Sequence, residues 1–354
     1  FIVSRSLKLR HRRLDHRIEW FGAGLLSVSL VPLLLVAEQG REWGWGSGRS
    51  LACIGIGIAA GLAFLWQEWR MGEEAIFPLA MFRIKTVGVA STAGVIIGIA
   101  MFGGLASLPL YLQIVKGASP TEAGLQLLPM TLGIMAGSVF SGQMISRTGR
   151  YRIYPIVGSA LLTISLFLFH YVEFDTPIWQ TMIIMVFFGI GLGFNFQPLT
   201  LAVQNAVPPQ QIGVATSTAT FTRQIGGTIG TAVFLSVLFS DLPQRISDAM
   251  KTAAATPEFQ SALQDPANAA FAKQLAASQA PGGSGAASGV LQDSSFLSNL
   301  DPALAKPFLV GFSQSMDLVF LLGSIVMVLG FLVMLLLPQV ELRKTAAGAM
   351  PPAE

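Results

Sequence analysis

Charge is scarce in this chain: Asp, Glu, Lys and Arg together make up 12% of its 354 residues. That share and a mean hydropathy of +0.62 lie far from the balance of a soluble domain. A single cysteine, Cys53, excludes any disulfide within the chain. Histidine is limited to His11, His16 and His170, none beside a cysteine or carboxylate at metal-ligand spacing, so no metal site is expected. A Gly-x-x-x-x-Gly-Lys phosphate loop, a Gly-x-Ser-x-Gly elbow and a His-Glu-x-x-His helix are all missing. With no visible nucleophile–base pair and no ATP-hydrolysing module of its own, the sequence is not expected to be that of an enzyme, and no cofactor is expected.

Long apolar runs fill the space instead. Eight of them stand out: Trp20–Val36, Ser50–Trp66, Thr86–Leu112, Ala123–Ile145, Ile153–Tyr171, Ile178–Leu201, Ile212–Phe239 and Gln314–Leu337. A hydrocarbon core of about 30 Å needs about 20 apolar residues per spanning helix. Inside it every backbone group must find an internal partner, which helices provide. The expected fold is an all-α polytopic membrane protein with about eight transmembrane helices, in contact with a lipid bilayer. Gly189, Gly191 and Gly193 resemble a glycine loop but lie within an apolar run, where small residues let helices approach. Gly94/Gly98, Gly133/Gly137 and Gly226/Gly230, each spaced by four, invite the same packing reading, with a backbone hinge as the alternative.

The loops orient the helices. Segments on one side hold Arg5, Lys8, Arg10, Arg12, Arg13, Arg17, Arg70, Arg83, Lys85, Arg147, Arg150, Arg152, Arg343 and Lys344, fourteen basic residues. The short loops opposite hold three, Arg41, Arg49 and Lys116. The positive-inside rule then puts the Arg-rich start and the C-terminus in the cytoplasm. Spread over inner loops without interleaved aromatics, the basic charge does not suit nucleic acid. Phe1–Glu19 has no apolar signal-peptide core, and the chain reads as one entered in mid-course. Two polar segments interrupt the pattern. Gln67–Lys85, with Glu68, Glu73, Glu74 and Pro78, is expected to include an interfacial turn. Residues 240–313 carry the helix starts Thr256-Pro257-Glu258, Asp265-Pro266 and Asp301-Pro302 and the flexible composition Gly282–Gly289. A solvated insertion with one or two short helices is expected there, with partner docking as the alternative.

Polar residues at membrane depth carry the functional signal. In the seventh run Thr216, Thr220, Arg223, Gly227 and Gly230 recur at helical spacing. At 1.5 Å per residue Arg223 lies about 16 Å from the start of its helix, close to the bilayer centre. Placing arginine there costs about 2.5–3.5 kcal/mol even on the lenient insertion scale, so Arg223 should face the bundle interior or a wet cavity. Two readings stand: a structural tie to neighbouring carbonyls, or a part in substrate binding or gating. Its neighbour Gln224 joins the candidates. The sixth run ends Asn195-Phe196-Gln197-Pro198, two amides beside a proline that frees a carbonyl. Gln113 and Gln126 sit near the outer ends of the third and fourth runs, where interfacial solvation competes with a cavity role.

These stretches carry a family resemblance. Leu14-Asp15 through Ala23, Trp43-Gly44-Trp45, Pro78-Leu79 with Met81-Phe82-Arg83, Leu108–Gln113 with Gly117–Pro120, Ala123–Leu125 with Leu128-Pro129, and Arg223–Gly227 resemble the C-terminal part of major facilitator transporters, specifically the fourteen-helix EmrB/QacA-type drug:proton antiporters. Gly142 through Arg152 looks like the superfamily's Gly-x-x-x-Asp-Arg-x-Gly-Arg-Lys gating motif. Gly142, Arg147, Gly149 and Arg150 match, Ser146 replaces the Asp and Tyr151 the final basic residue. Two readings stand for these residues: a gating role, without a charge latch through Ser146, or a tight turn with positive-inside arginines.

The resemblance implies a basic cytoplasmic segment at 1–19, a linker helix pair at 20–66 and a cytoplasmic loop at 67–85. A C-terminal six-helix domain would follow at 86–340 with its insertion at 240–313, then a cytoplasmic tail at 341–354. It further implies three-plus-three inverted repeats and a missing N-terminal six-helix half as partner. The implied function is secondary active transport in a bacterial inner membrane: export of an amphipathic or cationic small-molecule substrate, with a proton gradient as energy source. Glu122 and Asp317 fall near outer helix ends and no carboxylate at mid-depth, so the proton site is expected in the missing half. The alternative is a truncated, non-transporting membrane module that acts through a partner.

Overall fold

A computed structural model describes residues 20–71, 79–268, 271 and 300–341. The basic start 1–19, Glu73, Glu74 and Pro78, the Gly282–Gly289 stretch and the tail beyond residue 341 lie outside the described residues. Among the described residues all regular secondary structure is helical. We label the α-helices α1 (Trp20–Trp43), α2 (Gly48–Met71), α3 (Lys85–Leu110), α4 (Pro120–Gln126), α5 (Leu128–Thr148), α6 (Ile153–Phe169), α7 (Ile178–Ala206), α8 (Ile212–Ala254), α9 (Pro257–Gln264) and α10 (Pro302–Leu335). Short 3-10 turns occupy Leu79–Arg83, Pro209–Gln211 and Pro266–Asn268.

The eight apolar runs coincide with helical segments, but Ala123–Ile145 is divided between α4 and α5 at Leu127, and Thr86–Leu112, Ile153–Tyr171 and Gln314–Leu337 run past the ends of α3, α6 and α10. Six helices are long and apolar enough to cross a membrane, while the apolar parts Trp20–Val36 of α1 and Ile153–Phe169 of α6 are shorter. Leu132, Met135, Val139 and Phe140 on α5, and Ile325, Val328, Leu329 and Leu332 on α10, are exposed and present hydrocarbon to the surroundings. Such broad apolar surface suits lipid and not water.

Local chemistry sets several boundaries. Pro109 removes an N–H near the end of α3, and the chain continues as a π-helical turn over Tyr111–Val115, closed by Lys116 N–H donating to the Tyr111 carbonyl at 3.2 Å. A capping box opens α4: Ser119 Oγ accepts from Glu122 N–H at 3.3 Å, and Glu122 Oε2 accepts from Ser119 N–H at 2.9 Å. Asp301 caps α10 by accepting from Ala303 N–H at 2.9 Å, so the Asp301-Pro302 signal marks a true helix start. That helix runs unbroken into the membrane, twelve residues earlier than the apolar run Gln314–Leu337 begins. Likewise α8 does not stop at Phe239. Leu238, Leu242 and Ile246 stay buried at every fourth position, and the face they form carries the helix on to Ala254. Beyond the bundle, α9 packs on these extensions through Phe259, Ala262 and Leu304.

The helices of the main bundle pack in two matching sets. The closest pairs are α3 with α8 and α5 with α7; α6 lies against α7 and α10, and α10 also against α3 and α8. The α1–α2 pair packs on itself, with α1 reaching α8. Glycines make the two closest crossings. A Cβ on Gly98 would strike the Arg223 carbonyl oxygen and lie 3.0 Å from Gly227 N, and one on Gly189 would strike the Met130 carbonyl oxygen and lie 3.0 Å from Ile134 N. Gly226 and Gly230 meet the backbones of Val95 and Ile99, as Gly133 and Gly137 meet those of Val186 and Ile190. One shift in sequence therefore carries Val95, Gly98 and Ile99 of α3 onto Val186, Gly189 and Ile190 of α7. A second carries Met130, Gly133 and Gly137 of α5 onto Arg223, Gly226 and Gly230 of α8. Because three spans separate the copies, they run in opposite directions across the bundle: this is an inverted repeat of α3, α5, α6 by α7, α8, α10.

Lipid tails are as apolar as leucine, so close backbone packing and not hydrophobic burial must hold such pairs together. Gly98→Ala and Gly189→Ala should each cost about 1–3 kcal/mol by overpacking against backbone that cannot swing aside. Gly142, with nothing within 4 Å of its added Cβ, should accept alanine without loss. Thermal melting of the three detergent-purified variants checks this. Unchanged melting of Gly98→Ala would show that the crossing is looser than described.

Candidate functional site

Arg223 reaches a crevice where α3, α7 and α8 meet. Its walls are Ala90, Gly94 and Ile97 of α3, Asn195, Phe196, Leu199, Thr200 and Val203 of α7, and Ala219 and Arg223 of α8. The cavity is about 10 Å³, room for about one water. The guanidinium lies 4.8 Å from the centroid of the Phe196 ring, a cation–π contact. No hydrogen bond or ion pair to it is found among the described residues. Asn195 is fully buried; its Nδ2 donates to the Gly191 carbonyl at 2.8 Å, and its Oδ1 is buried without a hydrogen-bond partner among the described residues. Pro198, one turn on, leaves the Phe194 carbonyl without its helical N–H. An unpaired cation, an unpartnered amide oxygen and an aromatic face thus share one small, low-dielectric space.

The candidates read from the sequence divide between several places. Arg223 and Asn195 come together. Thr220 and Gln224 are exposed, on a face of α8 turned away from the crevice. Thr216 accepts from Gln204 Nε2 at 3.0 Å and so ties α8 to α7, while Gly227 and Gly230 serve the crossing with α3. The buried polar line of α8 is Thr218 and Thr222, whose Thr222 hydroxyl lies 3.0 Å from the Thr218 and Ala219 carbonyls. Gln113 is exposed on the π turn, and Gln126 is half-buried with an unpartnered buried Oε1; neither reaches the crevice. Phe196, part of the quoted motif but not chosen, is the aromatic under the guanidinium. Its i+1 place beside Asn195 was the available signal.

Gln197 is exposed and lines a second, larger cleft at the end of the bundle that carries the arginines. About 1130 Å³ in volume, this cleft is lined by Gly142, Arg147, Gly149, Arg150, Gln204, Asn205, Gln339 and Glu341 among others. All four matching positions of the motif are therefore neighbours. Gly149 ends α5 in the left-handed region at φ 70°, donating its N–H to the Ile145 carbonyl at 2.8 Å. Ser146, in the place of the motif's Asp, turns back onto its own helix and donates to the Gln143 carbonyl at 2.7 Å, so it makes no latch.

The departure at Tyr151 has a use of its own. Fully buried, Tyr151 donates its hydroxyl to the Pro338 carbonyl at 2.8 Å and accepts from Val340 N–H at 3.0 Å. Burial pushes its phenol above the ordinary value, against the pull of the Val340 N–H and the charge of Arg152. Arg152 donates to the Leu335 carbonyl at 2.8 Å, its N–H donates to Gln339 Oε1 at 3.2 Å, and Gln339 Nε2 donates to the Gly149 carbonyl at 3.3 Å. The segment after α10 is strapped onto the α5–α6 turn by neutral and charge-assisted bonds. Tyr151→Phe removes a buried hydroxyl and leaves two backbone groups unpaired, and should cost about 1–3 kcal/mol. Limited proteolysis of the segment after Leu335 should then be faster in the variant; equal cutting rates would discount the strap.

At the opposite end Lys116 plays a similar part, donating to the Phe174 and Thr176 carbonyls at 2.7 and 2.6 Å. Partial burial holds its ammonium below the ordinary lysine range, opposed by Asp175.

Comparison with known proteins agrees with this architecture. The family model described as Major Facilitator Superfamily matches residues 16–231. The chain is 38% identical to a "Tetracycline resistance determinant" of Streptomyces rimosus, covering 94% of each chain. It is 32% identical to an uncharacterised MFS-type transporter of Mycobacterium tuberculosis over 92% of this chain, and spans 43% of that relative's length. With "Multidrug resistance protein 3" of Bacillus subtilis it shares 30% identity over 70% of this chain and 48% of the relative. The inverted repeat, the glycine crossings and these matches agree: the chain is a multi-pass membrane protein that belongs to the Major Facilitator Superfamily, a transporter and not an enzyme.

Proposed function

We propose that this chain supplies the linker pair and one six-helix domain of a proton-driven exporter of amphipathic or cationic small molecules in a bacterial cell membrane. Substrate would lie between this domain and a second six-helix half. The observation that carries the reading is Arg223: a guanidinium held at membrane depth on Phe196 without an acceptor. Placing a charge at that depth is costly, and a partner brought by the substrate would offset the cost. Tetracycline resistance and multidrug resistance in the names of its relatives support a drug-like partner. Of such molecules, the crevice favours an amphipathic one that brings acceptor oxygens to the guanidinium and an apolar body to Ile97 and Leu199. A cavity of about 10 Å³ cannot admit it, so α7 and α8 must part during the cycle. The fourteen-to-three distribution of basic residues supports a cytoplasmic arginine-rich end and C-terminus.

Orientation has a direct test. Ser284→Cys should react with an impermeant thiol reagent added to intact cells, and a tag after Glu354 should be accessible only after lysis. Labelling of Ser284→Cys only in broken cells would reverse the assignment.

Transport is tested at Arg223 in the complete gene product. Arg223→Leu removes the desolvation cost and should insert as well as the parent, yet lose tetracycline efflux. Arg223→Lys keeps the charge without the planar fork of donors and should retain only part of the efflux. Expression, detergent stability and efflux are measured on the same samples. Undiminished efflux by Arg223→Leu sinks the assignment; parallel loss of folded protein in both variants assigns Arg223 to structure alone.

A further inference from the structure

One half-buried acid has no part in the crevice. Asp317 lies on α10 where that helix crosses α6, half-buried, with its Oδ1 shut away from solvent and no hydrogen-bond partner among the described residues. Its backbone is pinned: the Asp317 carbonyl oxygen lies 3.0 Å from His170 Nδ1 at the end of α6. A carbonyl only accepts, so Nδ1 carries the hydrogen, and His170 is held as a donor towards α10. One turn further along α10, Phe320 stacks on Phe169 at 5.1 Å between ring centroids.

Every helix packed here contributes a group with a say in the charge at Asp317. Tyr111 at the end of α3 feels it, and is itself buried with its hydroxyl donated to the Glu173 carbonyl at 3.0 Å. Thr181 of α7 adjoins Tyr111, as do the charges of Asp175 and Lys116. Glu173, in the α6–α7 connection, repels a negative Asp317, and Arg245 of α8 attracts it. Arg245 makes no direct bond to it among the described residues; its Nε is bonded to Asp241 Oδ2 at 2.9 Å, and Ser315 of α10 also lies 3.3 Å from that oxygen. A proton on the carboxyl would remove a charge that this half-buried position holds at a cost.

We propose that Asp317 is a proton-binding site of this domain, loaded from the aqueous phase at the end of the bundle opposite the arginines. It rests on the proton-driven reading above, and locates in this domain a site that the sequence suggested lay elsewhere. Binding forms an O–H bond on the carboxylate at the expense of a hydronium O–H bond, and release reverses it; no other reactant is needed. The site joins the two triplets of the inverted repeat, α6 and α3 from one and α10 and α8 from the other. Filling it removes a negative charge from the contact between them, and emptying it restores the repulsion from Glu173.

Infrared difference spectroscopy of the complete gene product tests the site without any substrate. Acidification within the range where the fold survives should raise a protonated-carboxyl C=O band that Asp317→Asn lacks and Asp317→Glu shifts. A band unchanged in Asp317→Asn or in Asp317→Glu, or no such band in the parent, overturns the proposal. Folding of Asp317→Asn is checked by thermal melting; should it fail to fold, the Asp317→Glu spectrum decides. In proteoliposomes the Asn variant should lose tetracycline transport driven by a pH gradient and keep tetracycline exchange without one. Gradient-driven transport at the parent rate in Asp317→Asn also overturns it. If the parent moves no tetracycline while the band behaves as expected, the transport reading fails and the proton site stands. If the parent is gradient-driven but shows no titrating band from Asp317, the site fails and the reading stands.

Discussion

Two glycine-lined helix crossings hold the rest of this bundle in place. Where Gly98 meets the Arg223 carbonyl and Gly189 meets the Met130 carbonyl, backbone touches backbone with no side chain between. In lipid that closeness replaces the hydrophobic drive that would assemble a soluble core. It also fixes rotation. With the Arg223 carbonyl pressed on Gly98, its side chain is directed to the α7 side of the contact, over Phe196. A glycine on one helix thereby aims the charged residue on another. The aim of the guanidinium needs no hydrogen bond of its own.

Much of the fold was legible because membrane constraints act on short windows of sequence. Apolar run length located the eight apolar helical segments of the described residues, though not their ends, and pairs of glycines four apart located the crossings. Loop signals that depend on one or two residues, such as Asp301-Pro302 and Thr256-Pro257, fall at helix starts in the structure, although the Thr256 hydroxyl donates back to the Ala253 carbonyl at 2.6 Å instead of capping. Helix ends beyond the membrane were not legible by hydropathy. Polar Ser240 and Asp241 suggest a stop, but helix continuation depends on the partner that buries Leu242 and Ile246.

The candidate site was less legible for a geometric reason. Helix α8 carries two polar lines on different faces, Thr216–Thr220–Arg223 and Thr218–Thr222–Gly226. Either could face the interior by period alone. Gly94 and Gly98 on α3 select the second, which leaves Arg223 at the edge of the contact and Thr220 outside it. Contacts such as Tyr151 to Pro338 join residues far apart in the chain, and no local pattern encodes them. The degenerate motif offered a hint at Tyr151, because losing the motif's charges asks what else closes that end.

The inverted repeat does not repeat the lining of the Arg223 crevice. The shift that maps Val95 onto Val186 also maps Ala90, Gly94 and Ile97 onto Thr181, Met185 and Phe188. On the α8 and α5 side, Arg223 maps onto Met130, and on α7 Asn195 maps back onto Gly104. At the mirrored place small residues have become large ones: Met185 and Phe188 are fully buried, and Phe188 closes to 3.3 Å on a Cβ built at Gly104. Thioether and ring fill the volume that the other copy leaves for a guanidinium, an amide and a water. The backbone is duplicated but the chemistry is not. A packed copy resists deformation as any dense core does, while the polar copy holds groups without hydrogen-bond partners among the described residues. Movement in this domain should therefore concentrate at the α3–α7–α8 crevice, with the α5–α7 crossing as the rigid body against which it opens.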